Sequence, residues 1–529
     1  MHIKIEESTI YPSASVRFLG VVLDSCLNWN AHVEHIVKKC EIPVRILCCI
    51  RGTWWGTDPS IMITLYKSLI RSRIEYGGFL MSPCKLDLFH KVEKIQLKCL
   101  RLAMGYRNSI PVNIIYSETK ILPLEYRFKL TSCKYLIGSM AKQHNQLNEV
   151  LEEISELSEN FVHENNFTKS TLVSTYEIVK PYEKFIFKYY IPFYQLEYKN
   201  QFNQSKVDLN SGMLIKDDNN ADYAFWQVFG DKLNNRTAIF TDGSKINTDE
   251  KSSVGFASWC SNDDFITSFK LFDVSSIFSA EAVAILSALN QIIKSDLTRF
   301  TIFSDSKSVL TALMNIRKLK HHPHLIQEIN QELVNCKLKD KDVELTWISA
   351  HRNIQGNEKA DSLAKKAAVE GPMRDIAVLH SDVYSIFKSM CIKNNEEFLY
   401  HRAFVLNKGI FFFENYHCQS SKTWFSDLNF SRRDIITLNR LHSGHNSLKD
   451  SLFRFKITES NLCSCGLIEN ANYLLWECNK FHKERKNMED KFRKLKINTP
   501  IDIREILKKM KNSELKIIVE FFNKCKIDV

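Results

Sequence analysis

Residues 234–371 predict an α/β domain: a mixed five-stranded sheet with helices packed against it. Three observations carry that expectation. Short apolar runs of strand length follow one another between polar turns. Segments of helical period then alternate with further strands, and carboxylates stand just past the ends of several apolar runs.

Taken in order, residues 1–140 read as mainly helical after a short strand. "RFLGVVLD" (17–24) has the pattern of a buried strand ending in a turn. "HVEHIVKKCEIPVRILCCI" sets Val33, Ile36, Val37 and Cys40 at helical spacing until Pro43, where an interruption is expected. "SIMITLYKSLIRSRIEYGG" and "FHKVEKIQLKCLRLAMGY" repeat the period with Lys and Arg outward, as in solvated helices. From 141 to 233 the signal weakens into a connector. There "NEVLEEISELSEN" is an acidic helix, and "KFIFKYYIPFYQLEYKNQF" mixes aromatics with lysines, suiting either buried strands or base stacking.

Within 234–371, "RTAIFTD", "SSVGFASWC" and "DFITSFKLF" are three successive strands. "SAEAVAILSALNQIIK" is a helix with Ala282, Ile285, Leu286, Leu289 and Ile293 on one face. A strand "RFTIFSD", helices "SKSVLTALMNI" and "HPHLIQEINQELVNC", a strand "VELTWIS" and a helix "NEKADSLAKKAA" complete the order β-β-β-α-β-α-α-β-α. Residues 372–529 are again mainly helical. Ser431 and Asp434 bracket a helix start before "IITLNRLHSGH". His442 and His445 flank that segment's last turn, either as a metal-spaced pair or as a capped helix end.

Composition bounds the function. The chain has 529 residues, 44% of them hydrophobic, enough for roughly three or four domains at ~100–200 residues each. No apolar run reaches the ~18 residues of a membrane span, and the start lacks the basic-then-apolar pattern of a secretory signal. Fifteen scattered cysteines suit reduced thiols in an intracellular protein of the cytoplasm or nucleus. A net charge of +11 is compatible with a polyanionic partner, but it is spread over a long chain.

The carboxylates are more specific. Asp242 in "AIFTDGSK" stands at the tip of a core strand, where a bare Asp-Gly pair would signal only a turn. Asp305 in "TIFSDSKS" ends a second apolar run, and parallel neighbouring strands would bring the two together. Glu281 lies in the first turn of the first long helix, and Asp361 in the last helix, after the loop "SAHRNIQGN". Four carboxylates at one sheet edge repel one another unless cations join them. Mg²⁺ suits a few carboxylates plus substrate phosphates, and two such ions activate water and stabilise the leaving oxygen of a phosphodiester.

In order and spacing, "FTDGSK", "SAEAVAILSAL", "FSDSKSVLTAL" and "LTWISAHRNIQGNEKADSLAK" resemble the four signature blocks of type 1 ribonuclease H, over about 135 residues. The resemblance implies a ribonuclease H-like fold that hydrolyses the RNA strand of RNA–DNA hybrids. It implies an Asp-Glu-Asp-Asp site at Asp242, Glu281, Asp305 and Asp361 holding two Mg²⁺ ions, with Mn²⁺ able to substitute. His351 would be the mobile histidine that helps product departure, and Gly243, Ser244 and Asn357 would contact the hybrid. Arg352 and Asn353 depart from the glycine or valine usual in that loop.

The flanks add context. "RFLGVVLDSCLNWNAHVEHIVKKC" resembles the segment after the polymerase core in reverse transcriptases of non-long-terminal-repeat retrotransposons. "RLHSGHNSLKDSLFRF" and "CSCGLIENANYLLWEC" resemble the cysteine-bearing tail of the same polyproteins. No Tyr-Ala-Asp-Asp motif is found, and the Asp pairs at 217–218 and 263–264 sit in polar turns, so nucleotide transfer is not expected. The chain reads as the C-terminal part of such a polyprotein, with 1–140 a remnant of the post-polymerase region. In the tail, Cys463, Cys465 and Cys478 offer three thiolates where zinc wants four ligands. Tyr473 stands in the slot the family fills with histidine, with His482 as a substitute, so a weak zinc site at most is expected. The rival readings are a catalytically silent nucleic-acid-binding relic, which intact carboxylates disfavour, and a transposase or integrase, whose acidic set usually ends in a helix glutamate.

Overall fold

The computed structural model describes the chain except residues 1–2, 6–7, 11, 83, 144, 163–168, 190–204, 216–219, 249–251, 263–264 and 317–322. The Asp pairs at 217–218 and 263–264 and most of the aromatic–lysine stretch at 184–202 therefore lie outside the described residues. Two compact units organise the rest, each discontinuous in sequence. One comprises Met1–Ser132, Phe161–Ser174 and Met390–Val529, the other Cys133–Asn160 and Thr175–Ser389. Among the described residues no helix is long and apolar enough to cross a membrane.

The second unit is an α/β fold of the ribonuclease H-like kind, built on a mixed sheet. Its strands are β1 (Val207–Asp208), β2 (Thr237–Asn247), β3 (Ser252–Cys260), β4 (Ile266–Leu271), β5 (Arg299–Ser304) and β6 (Asp342–Trp347). Their order across the sheet is β1-β6-β5-β2-β3-β4. β2, β3 and β4 form an antiparallel meander, whereas β5, β6 and β1 are added in parallel. This is one strand more than expected. β1 is only two residues long and lies in the segment read as a connector, so no strand-length apolar run announced it.

Five helices of this unit bear on the site: α1 (Ala221–Leu233), α2 (Ile277–Ile292), α3 (Lys307–Met314), α4 (His324–Leu338) and α5 (Gln355–Glu370). α2 packs on β2 and β3 and against α4. Squeezed between them, it is buried beyond the expected stripe. Ala282, Ile285 and Leu289 are buried, and so are Ala280, Val283, Ala284 and Ala288. On a second core, α1 sets Phe225 and Phe229 against Phe303, with ring centroids 5.0 and 5.1 Å apart. Residues before 234 thus contribute both a strand and a covering helix to the sheet.

The first unit is mainly helical, and it corrects two expectations. Residues 17–24 are not one buried strand. Ser15–Phe18 and Val21–Asp24 form an antiparallel hairpin, exposed on the first strand and half-buried on the second. Leu19 (φ 46°) and Gly20 (φ 89°) both adopt positive φ, the two-residue turn geometry that matches hairpin twist. Nor does Pro43 end its helix, which runs over Asn30–Cys49 with Pro43 buried inside. A proline lacks the N–H that would bond the carbonyl four residues back. Here that carbonyl, on Lys39, accepts a hydrogen bond from Arg73 Nη1 instead.

Elsewhere in this unit, helix Arg432–Ser443 begins with the expected reciprocal cap between Ser431 and Asp434 and ends at Gly444 (φ 69°). "HSGH" is therefore a capped helix end. His442 faces Glu118 and stacks on Tyr416, while His445 meets Ser109 and stacks on Phe455. The two rings serve different neighbours rather than one ion.

Candidate active site

Asp242 does not sit at the end of its strand. β2 continues to Asn247, with Asp242 paired to Ala257 and Gly243 to Phe256 of β3. What ends near Asp242 is the pairing with β5, whose last register pair is Thr241↔Ser304. One residue farther along each parallel strand come Asp242 and Asp305. The Asp-Gly pair is thus not a turn, because β3 holds the backbone extended through it.

Gly243 explains how Glu281 reaches the same point. A Cβ there would stand 2.6 Å from the Glu281 nitrogen and 2.8 Å from the Ala280 carbonyl carbon. The missing side chain lets the start of α2 lie directly on β2. The Gly243 N–H hydrogen-bonds the carboxylates of Asp242 and Glu281. α2 begins at Ile277, two residues earlier than its apolar face suggests, because Ser276 caps it by accepting from the Ser279 N–H at 3.1 Å. Glu281 consequently opens the second helical turn rather than lying in the first. Ser244, next along β2, is buried and paired to Gly255.

The result is a trio. One carboxylate oxygen each from Asp242, Glu281 and Asp305 lies within 4.8 Å of the others. Asp361 is not part of this trio. It lies on α5 with its Oδ2 2.6 Å from Lys365 Nζ, one helical turn on. Gly356 seats α5, since a Cβ there would run into the Phe240 ring at 2.3 Å. That seating brings Asn357, buried one residue later, to hydrogen-bond Asp305 and favour its charged form. The Trp347 indole N–H donates to the Asp305 carbonyl at 3.1 Å. His351 is exposed on the loop between β6 and α5 and bears electrostatically on Asp305. That loop carries two left-handed residues, His351 (φ 53°) and Asn353 (φ 57°). Asn tolerates this conformation better than most side chains, so Asn353 suits its place in the loop.

Electrostatics set the trio apart from ordinary carboxylates. Burial, then the neighbouring Asp305 and Asp361 charges, push Asp242 up to about 8. Glu281 is held well above the usual carboxylate range, by burial first and then by Asp305 and Asp242. Burial also raises Asp305. Glu281 Oε2 is buried without a hydrogen-bond partner. An all-oxygen donor set that repels itself, with an orphaned buried oxygen, fits a hard divalent cation.

A pH dependence follows. The folded state holds a proton on Asp242 over the range in which the unfolded chain has released it. Stability of the metal-free protein therefore falls as pH rises from 3.8 to about 8, then levels. Melting curves of wild type and Asp242→Asn across that window would check this. The wild-type midpoint should descend relative to the variant, and a flat difference would contradict it.

The tail holds a second cluster. Sulfurs of Cys463, Cys465 and Cys478 lie within 4.8 Å of one another, with Cys465 and Cys478 at 3.7 Å. A tight turn sets the first two, with Gly466 (φ 86°) donating to the Cys463 carbonyl at 2.9 Å. Tyr473 hydrogen-bonds both Cys465 and Cys478, and the Lys480 N–H meets the same two sulfurs. The tyrosine hydrogen bond is the main cause that pulls the Cys465 thiol below its usual range, whereas burial pushes Cys478 up. Tyr473 thus occupies the fourth corner as a protonated donor, and His482 is not part of the group. Three sulfurs fit zinc, but the phenol does not. Tyr473→His should tighten zinc binding roughly 10–100-fold, as first-coordination changes must at least match those around it. Competition with a chromophoric chelator would measure this, and equal affinities would refute it.

Sequence reasoning missed several contributors. Lys365 was legible as the partner of Asp361 at i+4. Asp222 of α1 accepts from the first N–H of α5, on Gln355, at 3.0 Å, and Asp382 meets the start of α2. Neither has a local sequence signal.

Comparison with known proteins bears on this part of the chain. Residues 234–369 match the RNase H family model. Two curated proteins named Ribonuclease H, from Tropheryma whipplei strains Twist and TW08/27, are each 37% identical over 76 residues, 13% of this chain and 47% of theirs. The chain spans about half the length of the curated relatives it matches.

Proposed function

We propose that this chain hydrolyses the RNA strand of RNA–DNA hybrids in a divalent-metal-dependent reaction of the type 1 ribonuclease H kind. The observation that carries this reading is the convergence of Asp242, Glu281 and Asp305 at a parallel-strand edge inside the segment that matches RNase H. Those three carboxylates, with Asp361 beside them, would hold the cations. Two Mg²⁺ ions, for which Mn²⁺ can substitute, supply an activated water and charge neutralisation at the phosphodiester when bound.

The remaining work belongs to the chain. Asn357 orients Asp305, and Gly243 keeps Glu281 against β2. His351, exposed on its loop, would help product depart. Recognition of the RNA strand rests on 2′-hydroxyls in a wide, shallow minor groove. Cleavage leaves 5′-phosphate and 3′-hydroxyl ends.

The wider reading is the C-terminal part of a non-long-terminal-repeat retrotransposon polyprotein, supported by the order of its three sequence resemblances. An intracellular, reducing location suits its fifteen free cysteines, three of them clustered yet unbridged. Incubating the chain with a labelled RNA–DNA duplex tests the activity. Cleavage confined to the RNA strand is expected with Mg²⁺ and none with chelator. An intact RNA strand at saturating Mg²⁺ would overturn the proposal.

A further inference from the structure

Glu281 is the fifth residue of α2, so the position of its carboxylate is set by whatever fixes the first turn of that helix. Two side chains from elsewhere do so. Lys245, three residues beyond Asp242 on β2, donates from Nζ to the Ser275 carbonyl at 2.8 Å. Asp382, in the first turn of helix His380–Tyr400, accepts through a single oxygen from the Ser276 N–H at 2.9 Å and from Ser279 Oγ at 2.5 Å. Ser276 in turn accepts from the Ser279 N–H.

Asp382 is 5% exposed. A buried carboxylate is costly unless its oxygens are satisfied. Here the hydrogen bonds, the start of a helix and the nearby Lys245 charge offset part of that cost, although burial still holds the carboxyl above its usual range. The clamp ends two residues from Glu281. It also comes from beyond residue 369, outside the segment that matches RNase H.

We propose that Asp382 is a positioning residue for the cation site, holding α2 so that Glu281 completes the carboxylate trio. The inference rests on the cation-site reading of Asp242, Glu281 and Asp305. Partners that orient metal ligands typically contribute 10–100-fold in metal affinity. The clamp is expected to act at the lower end of that range, since it works through one helical turn.

The test uses the full chain and Mn²⁺ as probe, with free Mn²⁺ read by electron paramagnetic resonance and folding by circular dichroism. Asp382→Ala should weaken Mn²⁺ binding about tenfold in the folded protein. Asp382→Asn, which keeps an acceptor oxygen, should recover most of that loss. In a Glu281→Gln background, Asp382→Ala should add little, because its effect passes through Glu281. Ser279→Ala, which removes one bond of the clamp, stands in if Asp382→Ala does not fold. Hybrid cleavage should show a matching rise in the Mn²⁺ needed for half-maximal rate with KM for the hybrid unchanged.

Wild-type Mn²⁺ affinity in a folded Asp382→Ala protein would overturn the proposal, as would full additivity with Glu281→Gln. Mn²⁺ binding by a wild type that leaves hybrids intact would sink the hybrid-nuclease reading, while the Mn²⁺ affinities of the variants would still decide the role of Asp382.

Discussion

Asp242→Asn and Asp305→Asn should each lower Mg²⁺-dependent hybrid cleavage by at least ~10²-fold, since groups that only orient metal ligands already contribute up to that much. Each substitution replaces a carboxylate of the trio with an amide of nearly the same shape, so the sheet has no steric reason to move. The charge does change. In the metal-free protein Asp242 is pushed up to about 8 by burial and by Asp305 and Asp361. Removing one member of a self-repelling set should therefore raise the metal-free melting temperature while cleavage disappears. A folding defect would move both quantities down together, so opposite signs separate the explanations. Cleavage rates at saturating Mg²⁺, paired with melting curves in chelator, provide the measurement. Near-wild-type cleavage by either variant would remove the trio from the chemistry.

Gly243→Ala should be nearly as damaging for a different reason. Its new methyl would stand 2.6 Å from the Glu281 nitrogen and 2.8 Å from the Ala280 carbonyl carbon, both backbone atoms of α2. Backbone cannot swing aside as a flexible side chain can, so α2 must lift off β2. Overpacking of this kind costs about 1–3 kcal/mol, and a reacting group displaced by ~1 Å can lose ~10²-fold in rate. Gly230→Ala is the matched control. It lies inside α1 with nothing within 4 Å of its Cβ position, so it should be neutral or stabilising. A Gly243→Ala protein that cleaves at the wild-type rate would show that α2 is not seated as described.

Much of the second unit was legible because its strands and helices are long and strongly periodic. β2 to β6 and α2 to α5 fall where apolar spacing places them. β1 was not, since two residues carry no period, and its existence depends on a neighbour, β6, more than a hundred residues away. The extension of β2 through Asp242-Gly243 was hidden for a related reason: local turn chemistry pointed one way and pairing with β3 decided the other. Pro43 shows the same contest. The rule that proline breaks helices rests in part on an orphaned carbonyl, and Arg73, thirty residues downstream, satisfies that carbonyl. In the site, residue types and spacing announced the carboxylates, but not that Asp222 would meet the start of α5 or that Asp382 would hold α2. Those depend on which segments meet in space, and no local pattern encodes that.

The split of the helical unit into distant stretches also sets a clock on synthesis. Its N-terminal helices contribute Val33, Leu47 and Ile114 to a core that is closed by Leu399, Phe412 and Ile435. At ~5–20 residues per second, the ribosome needs roughly 10–50 s between finishing Ser132 and reaching Met390. For that interval the nascent helices present apolar faces whose final partners have not yet been translated. The sheet-bearing unit, encoded in between, has its strands complete first and can consolidate while the earlier helices wait. Maturation in a cell should thus run outward from the sheet-bearing unit, with chaperone binding concentrated on the helices translated before it.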